Sequence, residues 1–161
     1  MVFTLAALIG LLVAIGVAVW FAADARRRRA PAPRAGAIDL CCGLLTLGFM
    51  TLHLAAVVGH ILSGKGFGGE ARFAYDFKFF WLILLGGVIS IPGLVFVMQA
   101  RRLGDGDVTA WKRALWASGL LLVLSASLVH RDAIALNTVL LATINLVSLW
   151  AGRKQFGAVA T

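Results

Sequence analysis

Five long apolar runs, separated by short polar or basic segments, make up most of the 161-residue chain. Each run holds about 20 residues, the length that an α-helix needs to cross the hydrocarbon core of a bilayer. The pattern therefore predicts an all-α integral membrane protein, a single membrane domain built as a five-transmembrane-helix bundle. The predicted spans are Val2–Ala23, Leu40–Ser63, Phe77–Gln99, Ala110–His130 and Ala133–Trp150.

Composition supports this class and excludes several others. Hydrophobic residues are 61% of the chain and charged residues 14%, whereas a soluble domain carries about 25% charged residues. A water-soluble enzyme, a disordered tail and a disulfide-stapled secreted module are all excluded. Cys41 and Cys42 are adjacent, with no metal-ligand or redox spacing, and we expect them to act as small apolar residues. The runs leave no room for a domain outside the membrane.

The basic residues predict the orientation of the bundle. The net charge is +8, but the basic clusters lie between apolar runs, as topology signals do, so we predict no nucleic acid partner. Three segments, the Arg26–Arg34 loop, the Arg101–Arg113 loop and the C-terminal tail, hold 11 of the 15 Lys and Arg residues. The positive-inside rule then predicts the N-terminus out and the C-terminus in, in a bacterial cytoplasmic (inner) membrane.

The three histidines are the candidate cofactor ligands, because ionisable side chains inside spans are costly and mark functional sites. His53 and His60 lie seven residues apart on the second span, about two helical turns. His130 ends the fourth span, and helical rise places it at a depth similar to that of His60. Two facing imidazoles suit the axial positions of a b-type haem. We predict His60 and His130 as ligands of the haem iron, and His53 as a further ligand or a buried hydrogen-bonding group.

Other interpretations of these residues stay open. All three histidines could serve only as hydrogen-bonding groups between helices, or they could hold a chlorophyll-type pigment or a metal ion. The aromatic segment Phe67–Trp81 is typical of an interfacial belt. Alternatively, it is a docking face or a quinone head-group site, with Asp76 or Asp132 accepting protons.

Polar and small residues on the spans predict helix packing. Thr138, Asn145 and Ser148 share one face of the fifth span, and such residues usually link neighbouring helices. Ala55 and Gly59, four residues apart, and the Gly86–Gly87 pair are typical of close helix contacts. No span carries a carboxylate pair or a charge stripe, so a transporter or channel ranks last.

The layout and one set of motifs resemble a known family. The second span bears two histidines, the outer one within "VGH", and is followed by an outer loop, a Gly-rich third span and a basic "RRL" exit at Arg101–Leu103. Over about residues 45–103, this resembles the membrane cytochrome b (gamma) subunit of respiratory nitrate reductases. The resemblance implies that His60, and less directly His53, is a haem ligand. That family takes its other ligands from the last span, which has no histidine here.

Together, these observations predict a small haem-b-binding membrane subunit of a bacterial respiratory or photosynthetic electron-transfer complex. The expected partners are other membrane subunits and lipid. The chain itself would be at most a non-catalytic subunit of a membrane oxidoreductase. The alternative is a cofactor-free accessory or anchor subunit that stabilises a larger membrane complex.

Overall fold

A computed structural model describes residues 2–62, 71–126 and 133–157, and every element in those ranges is an α-helix. The all-α prediction is confirmed for this part of the chain. The helices are α1 (Val2–Arg27), α2 (Pro33–Leu62), α3 (Ala71–Gly104), α4 (Val108–Ala126), α5 (Ala133–Ala151) and α6 (Arg153–Gly157).

Two helical stretches of the described chain are long and apolar enough to cross a membrane, Leu8–Arg27 and Pro33–Ala55. A shorter apolar stretch, Leu136–Ala151, lies in α5. Most of α1 is exposed, because α2 is the one helix against which it packs extensively. The helix α2, in contrast, also packs on α3 and α5. The second helix is therefore the centre of the bundle.

The central helix α2 begins before the apolar run that predicted it. The run starts at Leu40, but the helix starts at Pro33, where a proline fits because the first turn needs no amide donor. The basic connection between α1 and α2 is only residues 28–32, and Arg29 turns it with a φ of 57°. The extension brings Asp39 inside the helix.

Two glycines let α2 and α3 approach closely in antiparallel order. A Cβ on Gly36 would lie 2.5 Å from the carbonyl oxygen of Ala100, and one on Gly43 would lie 2.8 Å from that of Gly93. Both distances are shorter than real Cβ contacts. The backbones of these helices therefore touch where only glycine fits, which explains why small residues recur along this interface.

One end of the bundle gathers the basic residues, and we call it the basic end. The Ala32 amide donates to the Gly104 carbonyl at 3.0 Å, and the Trp111 indole Nε1 donates to the Leu149 carbonyl at 3.1 Å. These bonds join the ends of α3 and α5 to the starts of α2 and α4. The exposed basic residues collected there are Arg26, Arg27, Arg28, Arg29, Arg34, Arg101, Arg102, Lys112, Arg113, Arg153 and Lys154.

Acidic side chains bond two of these cations, Arg28 and Arg102, and cap the start of one helix. Arg28 bonds Asp24 at 2.9 Å and Asp105 at 3.1 Å, and the hydrogen bond to Asp24 is the main reason that its pKa is raised. Asp107 caps α4 by accepting the Thr109 amide at 2.7 Å, which lowers the pKa of this carboxyl. All of the basic residues of this end remain exposed.

Candidate functional site

Three helices contribute a buried polar group to one level of the bundle, the first polar layer. Asp39 of α2, Ser118 of α4 and Asn145 of α5 each have 0% exposure. The Asn145 side-chain nitrogen Nδ2 donates to Asp39 Oδ1 at 2.7 Å and to Ser118 Oγ at 3.1 Å. This layer joins residues that are up to 106 positions apart in the sequence.

Hydrogen bonding fixes which way the Asn145 amide points. Ser118 Oγ donates its own hydrogen to the Ala114 carbonyl at 2.8 Å, so it can only accept from Asn145. The side-chain atom of Asn145 that lies between Asp39 and Ser118 therefore faces two acceptors. It must be the amide nitrogen Nδ2, which donates, and not the amide oxygen. The amide oxygen Oδ1 points elsewhere, and it has no hydrogen-bond partner among the described residues.

A second polar layer follows seven residues further along each helix, about 10.5 Å of helical rise. Thr138 Oγ1 donates to Ser125 Oγ at 2.8 Å, linking α5 to α4. Cys42 Sγ donates to the Leu141 carbonyl at 3.6 Å, so α2 runs antiparallel to α5. That register places Thr46, which is also fully buried, at the level of this second layer.

Four buried side-chain atoms in the described chain have no hydrogen-bond partner, and all four are oxygens. They are Asp39 Oδ2, Thr46 Oγ1, Gln99 Oε1 and Asn145 Oδ1. Gln99 lies on α3 at about the level of Asp39, because the glycine contacts place Ala100 opposite Gly36. Buried polar groups are nearly always paired, since leaving one unpaired costs about 1–3 kcal/mol. Three of these oxygens, on Asp39, Gln99 and Asn145, lie near the first polar layer, which makes that layer the candidate site.

The two histidines of α2, His53 and His60, lie further along the helix than these two layers. His53 is half-buried on α2 beside α3, where a Cβ on Gly86 would come within 3.8 Å of His53 Cδ2. His60 lies near the end of α2, and its side chain is outside the described atoms. His130 lies outside the described residues altogether. The pairing of His60 with His130 stays a prediction.

The register between α2 and α4 bears on where such a pair would meet. Asp39 and Ser118 share the first polar layer, so Ala126, eight residues further along α4, is level with Leu47 of α2. His60 lies 13 residues beyond Leu47, or about 20 Å along the helix axis. His130 lies four residues after Ala126, outside the described residues, so its depth relative to His60 stays a prediction.

Sequence reasoning found part of this site and missed its charged member. The prediction that polar residues of the fifth span link helices is confirmed for Thr138 and Asn145. Asp39 was overlooked because it stands one residue before the apolar run. A signal was present: Asp39, Thr46, His53 and His60 recur every seven residues and fall on one face once the helix begins at Pro33.

Comparisons with other proteins leave the site to be interpreted from its own chemistry. No family model matches the chain, and no curated protein or solved structure matches it significantly.

Proposed function

We propose that this chain is a five-span protein of the bacterial inner membrane, with its basic end in the cytoplasm, and that it works as a subunit of a larger membrane complex. Large apolar side chains are exposed along three helices; they include Leu12, Val13, Val19, Trp20, Trp116, Val123, Val147 and Trp150. Soluble monomers rarely expose apolar patches of this extent. Lipid or other membrane subunits must cover this surface.

An exposed small-residue face on α2 carries the subunit part of the proposal. Gly48, Thr51, Ala55 and Gly59 are all exposed, and a Cβ on Gly48 or Gly59 would meet none of the described atoms within 4 Å. The close packing predicted at Ala55 and Gly59 is thus not used by the described helices of this chain. A helix of another subunit would fit against this face, because small residues let two backbones approach closely.

An apolar groove next to this face adds to the surface that a partner helix could bind. It has a volume of about 230 Å³ and lies between α1 and α2, beside Gly48. Its walls are apolar; the lining residues are Gly10, Leu11, Val13, Ala14, Leu44, Leu45, Gly48, Phe49 and Leu52. A side chain of a partner helix or a lipid chain would bury apolar area there.

Haem ligation at His60 is a second candidate function, favoured by the open backbone at Gly59. A macrocycle needs space beside its ligand, and the neighbouring glycine leaves that space free of described atoms. The resemblance to the nitrate reductase gamma subunit implies the same ligand. His53 does not fit this role on its α3 side, where Gly86 packs against the ring. A bound haem would carry the electron, and the protein would supply the ligands and their orientation.

One purification tests both roles. We expect the tagged chain, extracted from its native membranes in mild detergent, to bring larger membrane subunits with it in native mass spectrometry. Gly59→Leu should reduce this association at least tenfold, because its side chain would hold the partner helix away, whereas Val147→Leu, on an exposed face of α5, should leave it unchanged. A dithionite-reduced b-type absorbance would support haem. Recovery of a lone, colourless wild-type monomer would contradict both.

A further inference from the structure

We propose that the oxygen atoms around Asp39 form a binding site for a monovalent metal cation, for which sodium is the test ion. The site is centred on Asp39 Oδ2 and Asn145 Oδ1, the two unpartnered oxygens that flank the 2.7 Å bond between these side chains. It lies inside the bundle, independent of the subunit interface and of any haem.

With the Asp39 carboxyl group ionised, the local hydrogen bonds leave only acceptor atoms at this point. Asn145 Nδ2 donates both of its hydrogens in hydrogen bonds, one to Asp39 and one to Ser118. The Ser118 hydroxyl group donates its hydrogen to the Ala114 carbonyl. No described donor reaches Asp39 Oδ2 or Asn145 Oδ1. A carboxylate oxygen and an amide oxygen without donors are ligands that hard cations prefer.

The charge of the site selects a monovalent ion. Among the residues whose side-chain burial the structure describes, Asp39 is the only buried acidic one. One positive charge neutralises one carboxylate, whereas a divalent ion would leave a net charge in an apolar interior, which is costly. The other unpartnered oxygens near this level, on the side-chain amides of Asn145 and Gln99, are neutral.

The position of the site ties cation binding to the packing of the helices. Its ligands come from α2 and α5, the Ser118 hydroxyl of α4 orients the amide, and Gln99 Oε1 of α3 offers a further unpartnered oxygen near the same level. Thr46 Oγ1 lies two turns away, in the second polar layer, and so belongs to a neighbouring position. A cation at Asp39 would therefore join the helices of the bundle core, and its binding should stabilise the fold.

The test measures thermal unfolding of the purified full chain in detergent, at one pH, in sodium chloride and in choline chloride of equal ionic strength. We expect sodium to raise the unfolding temperature of the wild type by roughly 5 °C when its concentration is well above the dissociation constant. Asp39→Asn should abolish the sodium dependence. Thr143→Ala, an exposed hydroxyl on α5, should retain it, because Thr143 bonds only its own helix.

Direct binding keeps the proposal falsifiable if Asp39→Asn does not fold. Calorimetric titration of sodium into the wild type should show one saturable site, absent when the protein is titrated with choline. Equal unfolding temperatures of the wild type in the two salts, together with no heat of binding, would overturn the proposal and leave a proton or a water molecule as the group at Asp39. A sodium effect that survives unchanged in folded Asp39→Asn would also overturn it.

Discussion

Alanine at Gly43 should destabilise the bundle by about 1–3 kcal/mol, the usual cost of forcing extra atoms into a packed interface. The added Cβ would lie 2.8 Å from the Gly93 carbonyl oxygen and 2.9 Å from the side chains of Phe96 and Val97. One of these neighbours is backbone, so the strain cannot be relieved by a rotamer change. The central helices α2 and α3 would have to separate.

Gly48→Ala is the matched control for this prediction. Gly48 lies on the same helix, and an added Cβ would meet none of the described atoms within 4 Å. There, alanine should be neutral or stabilise by about 0.5–1 kcal/mol, because glycine is the weaker helix former. Reversible unfolding in mixed micelles measures both free energies. Equal effects of the two substitutions would show that α2 and α3 do not touch at Gly43.

Leucine at Asn145 should remove the only described hydrogen bond to Asp39 and leave a buried carboxyl group without a partner. The expected loss is about 1–3 kcal/mol for an unpaired neutral group, and about 3–5 kcal/mol if the carboxyl group is charged. Asn137→Leu is the control, because Asn137 is exposed on the same helix. Unfolding free energies in mixed micelles report both variants.

A second substitution separates this explanation from simple steric disturbance. Replacing Asp39 by leucine in the Asn145→Leu variant should recover much of the lost stability, because removing both partners of a buried polar pair leaves no unsatisfied group. The double-mutant cycle then gives the coupling between the two residues. A coupling energy near zero would contradict the first polar layer.

The sequence predicted the helices well because apolar run length is a local property. Each of the five runs overlaps a described helix, although the last residues of the second and fourth runs lie outside the described part of the chain. The polar face of α5 was identified from the spacing of Thr138 and Asn145. Asp39 was missed for a local reason too: a window of apolar residues stops at the first charge, whereas the helix continues back to Pro33. The recurrence of polar residues every seven positions, from Asp39 to His60, indicates the buried face of α2 better than the limits of the apolar run do.

Contacts between helices could not be predicted from the sequence as well as the helices themselves. Gly36 and Gly43 look like any other glycines until α3 is placed beside them, and only then does their lack of a side chain become essential. The Asp39–Asn145 contact likewise depends on the register of α2 against α5, which no single run encodes. The predicted equal depth of His60 and His130 assumed that each span was centred in the membrane, and helix register in the bundle does not follow from that assumption.

Cysteine accessibility tests most directly the claim that this is a membrane bundle with its basic end in the cytoplasm. In a background with Cys41→Ala and Cys42→Ala, single cysteines are placed at Thr109, exposed at the basic end, and at Gly68, between α2 and α3. A membrane-impermeant maleimide on intact spheroplasts should label Gly68→Cys at once and Thr109→Cys only after the membrane is permeabilised. Labelling of Thr109→Cys, but not Gly68→Cys, in intact spheroplasts would contradict the orientation, and immediate labelling of both would contradict the membrane bundle.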